Sequence, residues 1–126
     1  MTIANWCIAL AALLPIGWSM LSKAQLGYNN RQPRVYEEAL SGWRQRAHWT
    51  HLNSIEAFAP FAAAVLVAQQ ADGVQGLIDL LAVVFIALRI AYGVCYLANL
   101  GALRTLVFSL GLGCVLALFA VAAGWF

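Results

Sequence analysis

Four long apolar stretches constrain the fold of this chain more than any other feature. They cover about residues 3–21, 52–67, 77–97 and 106–126. Each approaches the ~20 residues that a helix needs to cross a hydrocarbon core of ~30 Å. A backbone in lipid satisfies its hydrogen bonds internally, and the alternating segments typical of a membrane β-barrel do not occur in the sequence. The pattern therefore predicts an all-α membrane protein, a bundle of four transmembrane helices.

The composition of the chain also favours lipid as its surroundings. Hydrophobic residues make up 63% of the 126 residues and charged residues only 10%, whereas soluble domains carry about a quarter charged residues. The net charge of +2 is too small to indicate a nucleic-acid partner. Three cysteines lie inside apolar stretches, which favours apolar packing over a disulfide framework: Cys7, Cys95 and Cys114.

The basic residues predict the orientation of the spans. Residues 23–46, between the first two spans, contain five of the seven Lys and Arg residues, and Arg104 follows the third span. The positive-inside rule places both of these connections in the cytoplasm and both termini on the other side. We predict a single domain, 1–126, with a long cytoplasmic connection over 23–45 and a short surface helix over 34–41. Its spanning helices are expected at about 3–21, 46–68, 77–99 and 104–126.

Polar residues inside the third span are candidates for a binding site. Arg89 lies near its middle, and Tyr92 and Tyr96 follow three and seven residues later, on one helical stripe. A central Arg costs roughly 2.5–3.5 kcal/mol to insert, so it should face the bundle interior or a wet cavity. Two interpretations remain: a site for an anionic ligand, or a structural Arg neutralised by a partner such as Glu56.

The second span carries a similar stripe. Arg46, Asn53, Glu56 and Pro60 fall on one side of the helix. Glu56 either pairs with an Arg of the third span or binds an amino group of a ligand. Pro60 removes a backbone hydrogen bond, which can bend the helix and open space near Glu56.

Two further pairs of residues have simpler explanations. His48 and His51 are neighbours on the opposite helical face; they could begin a metal site, but no third ligand is evident, and hydrogen bonds to headgroups or to another subunit are the alternative. Gly111 and Gly113 predict close helix packing in the fourth span.

Several motifs together resemble one family. They are Gly42-Trp43-Arg44-Gln45-Arg46-Ala47, His51-Leu52-Asn53-Ser54-Ile55-Glu56, Pro60-Phe61, Arg89-x-x-Tyr92-x-x-x-Tyr96-Leu97-Ala98-Asn99 and Leu103-Arg104. The chain is similar to the membrane-associated proteins in eicosanoid and glutathione metabolism, the MAPEG family, and most of all to its small bacterial members. The resemblance implies a homotrimer in the bacterial inner membrane, with glutathione as co-substrate bound between subunits near the cytoplasmic side.

The resemblance also implies a role for each matching residue. Asn53 and Glu56 would bind the glutathione peptide, with Arg46 from the same helix, and Arg89, Tyr92 and Tyr96 would line the adjacent wall. Arg104 would lie against the sulfur, and Thr105 would add a hydroxyl hydrogen bond. One departure concerns Arg46: many members carry Arg-Ala directly four and three residues before the Asn, and here Trp49 and Thr50 stand there. Arg46 therefore lies about 4–5 Å further along the helix.

The implied function is a glutathione-dependent transferase or peroxidase acting on lipophilic electrophiles. An Arg beside the thiol would favour the nucleophilic thiolate. The alternative is a non-catalytic membrane subunit or scaffold with the same fold. A small transporter is disfavoured, because no inverted repeat or discontinuous helix pair is visible.

Overall fold

The computed structural model describes residues 1–24, 28 and 30–126. In this part of the chain it contains five helices: α1 (Ile3–Lys23), α2 (Pro33–Glu38), α3 (Gly42–Gln70), α4 (Gln75–Leu97) and α5 (Gly101–Ala122). All except α2 are long and apolar enough to cross a membrane, which confirms the predicted all-α fold with four spans. Residues 25–27 and 29 of the predicted first connection lie outside the described residues.

Several helices begin at a glycine or proline rather than at the predicted residue. α3 begins at Gly42 rather than 46, directly after the extended Ser41, and Gly42 has a φ of 65°, which glycine adopts without steric cost. The surface helix begins at Pro33, where the missing N–H is no loss, and ends at Glu38 rather than 41. α5 runs over Gly101–Ala122 rather than 104–126.

Helices α3 and α4 form the centre of the bundle. α1 and α5 each pack against both α3 and α4, and α3 also contacts α4. The core between them is built from large apolar side chains and alanines, and the rings of Phe61 and Phe85 stack with centroids 4.0 Å apart. Helices α3 and α4 are therefore central, because each contacts all three other spanning helices.

Helix α1 approaches α4 closely at a glycine. Trp18 of α1 is 8% exposed, and a Cβ built on Gly93 would overlap the six-membered part of its indole ring. Only the absence of a side chain at this position lets the indole lie on the α4 backbone, as small residues allow at membrane helix contacts.

Polar side chains join the helices at the end of the bundle that holds the α3–α4 turn. Asp79 Oδ1 of α4 accepts hydrogen bonds at 2.8 Å from Ala4 N at the start of α1 and from Gln75 Nε2. Gln69 Nε2 of α3 donates to Thr2 Oγ1 at 2.8 Å. Asp79 thereby satisfies one of the free N–H groups in the first turn of α1, where a negative charge is favoured.

A second polar cluster lies at the opposite end. Glu37 of α2 is 7% exposed; its Oε1 lies 3.1 Å from Lys23 Nζ and accepts a hydrogen bond from Ser19 Oγ at 3.2 Å. His48 Nδ1 of α3 lies 3.7 Å from Glu37 Oε2. These contacts attach the short surface helix to α1 and α3.

Candidate functional site

The predicted polar residues meet on the facing surfaces of α3, α4 and α5. Three adjoining hollows lie there, and all three are lined by Asn53. Seven of the eight predicted site residues line these hollows: Asn53, Glu56, Arg89, Tyr92, Tyr96, Arg104 and Thr105. Arg46 is not among the lining residues.

Arg89 is the buried cation of the site. Its residue is 5% exposed, its Nη2 donates to Asn53 Oδ1 at 2.6 Å, and its guanidinium carbon lies 4.5 Å from the centroid of the Tyr92 ring. Among the described residues it has no ion pair with Glu56, so the suggested neutralisation of Arg89 by that carboxylate is wrong in this structure. An amide and an aromatic face stabilise the cation instead, which leaves Glu56 available.

A second cation lies at the end of the site where α4 meets α5. The guanidinium carbon of Arg104 is 4.3 Å from the centroid of the Tyr96 ring, and the Tyr92 and Tyr96 rings meet edge to face at 5.7 Å. Thr105 lines the same hollow and donates its hydroxyl hydrogen to Gly101 O at 3.1 Å. This hollow, of about 260 Å³, therefore combines a positive charge, two phenols and a hydroxyl oxygen that can still accept.

Glu56 is exposed and faces the two other hollows. One of them, of about 360 Å³, is lined by Glu56 and Asn53 of α3 and by both tyrosines of α4. Within the described part of the chain Glu56 forms no ion pair. The carboxylate is thus positioned to accept hydrogen bonds from a cationic group of a ligand.

The remaining hollow is an apolar cavity of about 190 Å³. Asn53, Glu56 and Arg89 stand at one side of it, and apolar residues of all three helices form the rest of its wall. Gly111 lines this cavity, and a Cβ there would come no closer than 4.0 Å to Phe85. The close packing predicted at Gly111 is therefore wrong, and at Gly113 a Cβ would meet nothing within 4 Å.

A comparison with protein families identifies the chain. A model of the MAPEG family matches residues 3–124. The chain belongs to the MAPEG family. No curated protein and no solved structure gives a significant match. The family consists of membrane proteins related to glutathione metabolism, among them glutathione transferases and peroxidases, and its members generally use glutathione as a substrate. Four spans and family membership together make this chain an integral membrane protein.

Arg46, for which the resemblance to the MAPEG family implied a contact with glutathione, has another partner. Its Nε and Nη2 donate to the carbonyl oxygen of Leu97 at 3.4 and 3.2 Å. Leu97 is the last residue of α4, where carbonyls lack helical partners and a cation is favoured. In this structure Arg46 joins the start of α3 to the end of α4.

The two histidines also have partners within this MAPEG chain. His51 Nδ1 lies 2.6 Å from the carbonyl oxygen of Pro15 in α1, and His48 lies beside Glu37. Over the described residues no three His, Cys, Asp or Glu side chains form a group that could hold a metal ion. The histidines thus connect α3 to α1 and α2.

Sequence reasoning missed Phe108, which lines both the Arg104 hollow and the apolar cavity. A signal was present, because Phe108 follows Arg104 by four residues and so shares its helical face. Trp49 was also missed; its ring centroid lies 6.1 Å from that of Tyr96.

Proposed function

We propose that this protein is a membrane-bound, glutathione-dependent transferase or peroxidase acting on lipophilic electrophiles, and a small bacterial-type member of the MAPEG family in an inner membrane. The observation that carries the proposal is the position of Arg104, whose guanidinium covers the Tyr96 ring in a hollow shared with Asn53, Tyr92 and Thr105. A cation fixed in this way is suited to stabilise a thiolate.

The proposed reaction uses the glutathione sulfur as nucleophile. A free thiol has a pKa of about 8.5, so a neighbouring guanidinium is needed to raise the thiolate fraction at neutral pH. The thiol proton leaves to solvent, and the thiolate forms a carbon–sulfur bond while the leaving group departs with its bonding electrons. In the peroxidase reaction two glutathione molecules are oxidised to the disulfide, and the hydroperoxide is reduced to an alcohol and water.

The remaining site residues would bind the peptide part of glutathione. Asn53 Oδ1 accepts from Arg89, so its NH₂ group can donate to a carboxylate or carbonyl oxygen. The exposed Glu56 carboxylate would accept from the amino group. Arg89, Tyr92 and Tyr96 would form the facing wall, with Arg89 supplying positive charge toward the carboxylates of the peptide.

The proposed assembly is a homotrimer with cytoplasmic first and third connections. The Glu56 hollow is open at the surface of a single chain, and the Trp49 beside it is 42% exposed, so a neighbouring subunit would close the site. Native mass spectrometry of the detergent-solubilised protein tests the trimer. A reporter fused after Phe126 should be active only on the non-cytoplasmic side, and cytoplasmic activity would contradict the orientation.

The experiment that tests the function is titration of the purified protein with glutathione in nanodiscs, followed by ultraviolet absorbance of the thiolate. We expect a thiolate signal at neutral pH that Arg104→Ala abolishes and Arg104→Lys partly retains, because Lys keeps the charge without the planar fork. Arg34→Ala, at an exposed position of α2, is the control and should leave the signal unchanged. Bound glutathione without a thiolate signal in the wild type would overturn the proposal.

A non-catalytic membrane subunit or scaffold is the second candidate. The observation in its favour is the engagement of Arg46 by the Leu97 carbonyl, which removes one of the glutathione contacts that the family resemblance implied. This function predicts that a lipid headgroup, rather than glutathione, is retained when the protein is purified.

A further inference from the structure

Two arginines at the start of α3 hold the ends of two other helices. Arg44 Nη2 donates to the carbonyl oxygen of Ala24, the C-cap of α1, at 3.3 Å. Arg46 donates from Nε and Nη2 to the carbonyl oxygen of Leu97, the last residue of α4, at 3.4 and 3.2 Å. Carbonyls at a helix end lack helical partners and carry the negative pole of the helix, so a guanidinium is favoured there. Because residues two positions apart do not share a helical face, each arginine serves a different helix.

The end of α4 leads directly into the turn that carries Arg104. The connection between α4 and α5 is only residues 98–100, and Asn99 has a φ of 60°, a left-handed conformation that Asn tolerates. Leu100 N donates to the carbonyl oxygen of Cys95 at 2.9 Å, and Arg104 N donates to the carbonyl oxygen of Leu100 at 2.9 Å. Backbone hydrogen bonds thus join the last turn of α4 to the first turn of α5, so a shift of the end of α4 displaces Arg104.

The side chain of Arg104 also depends on the end of α4. Its guanidinium carbon lies 4.3 Å from the centroid of the Tyr96 ring, and Tyr96 directly precedes Leu97. Trp49 lies 6.1 Å from Tyr96 between ring centroids, and it follows Arg46 by three residues on the same face of α3. One face of α3 therefore contacts both the terminal carbonyl of α4 and the ring that carries the guanidinium.

We propose that Arg46 is a positioning residue, which holds the end of α4 so that the Arg104 guanidinium lies against the sulfur of the thiol co-substrate. The part of this proposal that concerns the sulfur rests on the proposed function. Arg46 is not among the residues that line the three hollows, so its effect passes through Arg104 rather than through contact with the ligand. Charge stabilisation depends on the distance between the charges, and a misplacement of about 1 Å can cost on the order of a hundredfold in rate.

Arg44 provides the matched control for Arg46. The two residues have the same chemistry and lie in the same part of α3, but the carbonyl bound by Arg44 belongs to the end of α1, which does not lead to Arg104. Arg46→Met and Arg44→Met each keep an aliphatic stem and remove the donors. Both variants should lose a helix-end contact, and only Arg46→Met should change the environment of Arg104.

The first measurement uses the full-length protein in nanodiscs without glutathione. Phenylglyoxal modifies the arginines, and mass spectrometry gives the rate at each residue relative to Arg34, which is exposed on α2. We expect Arg104 to react about threefold faster in Arg46→Met than in the wild type, because its guanidinium leaves the Tyr96 ring more often. Arg44→Met should react at the wild-type rate. Arg46→Lys should fall between, since it keeps the charge but not the two N–H groups of the guanidinium.

The second measurement is the pKa of bound glutathione, followed by thiolate absorbance as the pH is varied. Arg46→Met should raise this pKa by about half a unit, which is about a threefold loss of thiolate below the pKa. Arg44→Met should leave the pKa unchanged, and S-methylglutathione, which has no thiol proton, should bind both variants with the wild-type Kd. A merely structural role of Arg46 would lower the unfolding temperature and leave the pKa where it is.

An unchanged Arg104 rate in Arg46→Met overturns the proposal, as do equal changes in Arg46→Met and Arg44→Met. If Arg46→Met does not fold, the same two measurements on Arg46→Lys decide. Failure of the proposed function is distinguishable from failure of this inference. A wild type without a thiolate signal, in which the Arg104 rate still depends on Arg46, supports the positioning role and refutes the transferase. A thiolate signal that does not respond to Arg46 supports the transferase and refutes the positioning role.

Discussion

Arg89 donates a hydrogen bond to Asn53 across the α3–α4 contact, with 2.6 Å between Nη2 and Oδ1. The two residues lie 36 positions apart in the chain and on the two central helices. A neutral amide therefore holds the buried cation, and the exposed carboxylate of Glu56 one turn away remains unpaired with it. The site combines a cation fixed by the fold with an anion open to a ligand.

Asn53→Ala should destabilise the folded protein by about 2 kcal/mol, because a buried guanidinium loses its hydrogen-bond acceptor. Asn53→Asp restores an acceptor of similar shape and should unfold at or above the wild-type temperature. Thermal unfolding in detergent measures both variants. Equal unfolding temperatures for Asn53→Ala and the wild type would show that Arg89 does not depend on this partner.

Arg46→Ala should affect stability and leave glutathione binding intact. Loss of its hydrogen bonds to the last carbonyl of α4 should cost about 1 kcal/mol. Calorimetric titration should give a glutathione Kd that changes less than about twofold. Glu56→Gln is the comparison, with a loss of about tenfold in affinity, since a charged hydrogen bond to the ligand amino group is removed. The reverse order of effects would assign Arg46 to the glutathione site.

Glu37 should make the folded protein less stable as the pH becomes acidic. Burial by itself raises the pKa of Glu37. The hydrogen bond and charge of Lys23, together with His48 and Ser19, lower the pKa by more than burial raises it, so it lies below the ordinary value of 4.5. A carboxyl with a lowered folded pKa stabilises the protein fully above 4.5, and this contribution disappears as the pH falls below that value through the folded pKa.

Thermal unfolding measured as the pH is lowered should therefore separate two neighbouring glutamates. Glu37→Gln should unfold at a lower temperature than the wild type at neutral pH, and the difference should shrink in acid. Glu38→Gln changes an exposed carboxyl of the same helix and should follow the wild-type curve. If the difference in unfolding temperature between the wild type and Glu37→Gln grows as the pH falls, the prediction is contradicted.

Gly93→Ala should separate α1 from α4. The added methyl group would overlap the Trp18 indole, and overpacking of this kind typically costs about 1–3 kcal/mol. Gly76→Ala is the control on the same helix, with nothing within 4 Å of the added Cβ. The double variant Trp18→Phe, Gly93→Ala should recover stability because the smaller ring leaves room. If the double variant is no more stable than Gly93→Ala, the contact is not the cause.

The sequence predicted faces of helices but not how the faces meet. The spans followed from apolar length, and the stripe of Arg89, Tyr92 and Tyr96 followed from a period of ~3.6 residues. Whether Asn53 or Glu56 reaches Arg89 depends on the rotation and height of α3 against α4, which periodicity within one helix does not contain. The empty space beside Gly111 could not be predicted either, because a glycine in a membrane helix is equally compatible with close helix packing and with a cavity.

The hydrogen bond from Ala4 N to Asp79 has a consequence for biosynthesis. The first turn of α1 is synthesised 75 residues before the carboxylate that accepts its hydrogen bond, so this N–H bonds to water at the membrane surface when α1 first inserts. Only insertion of the third span delivers the missing acceptor. The native contact at the start of α1 therefore cannot form until three of the four spans have been synthesised.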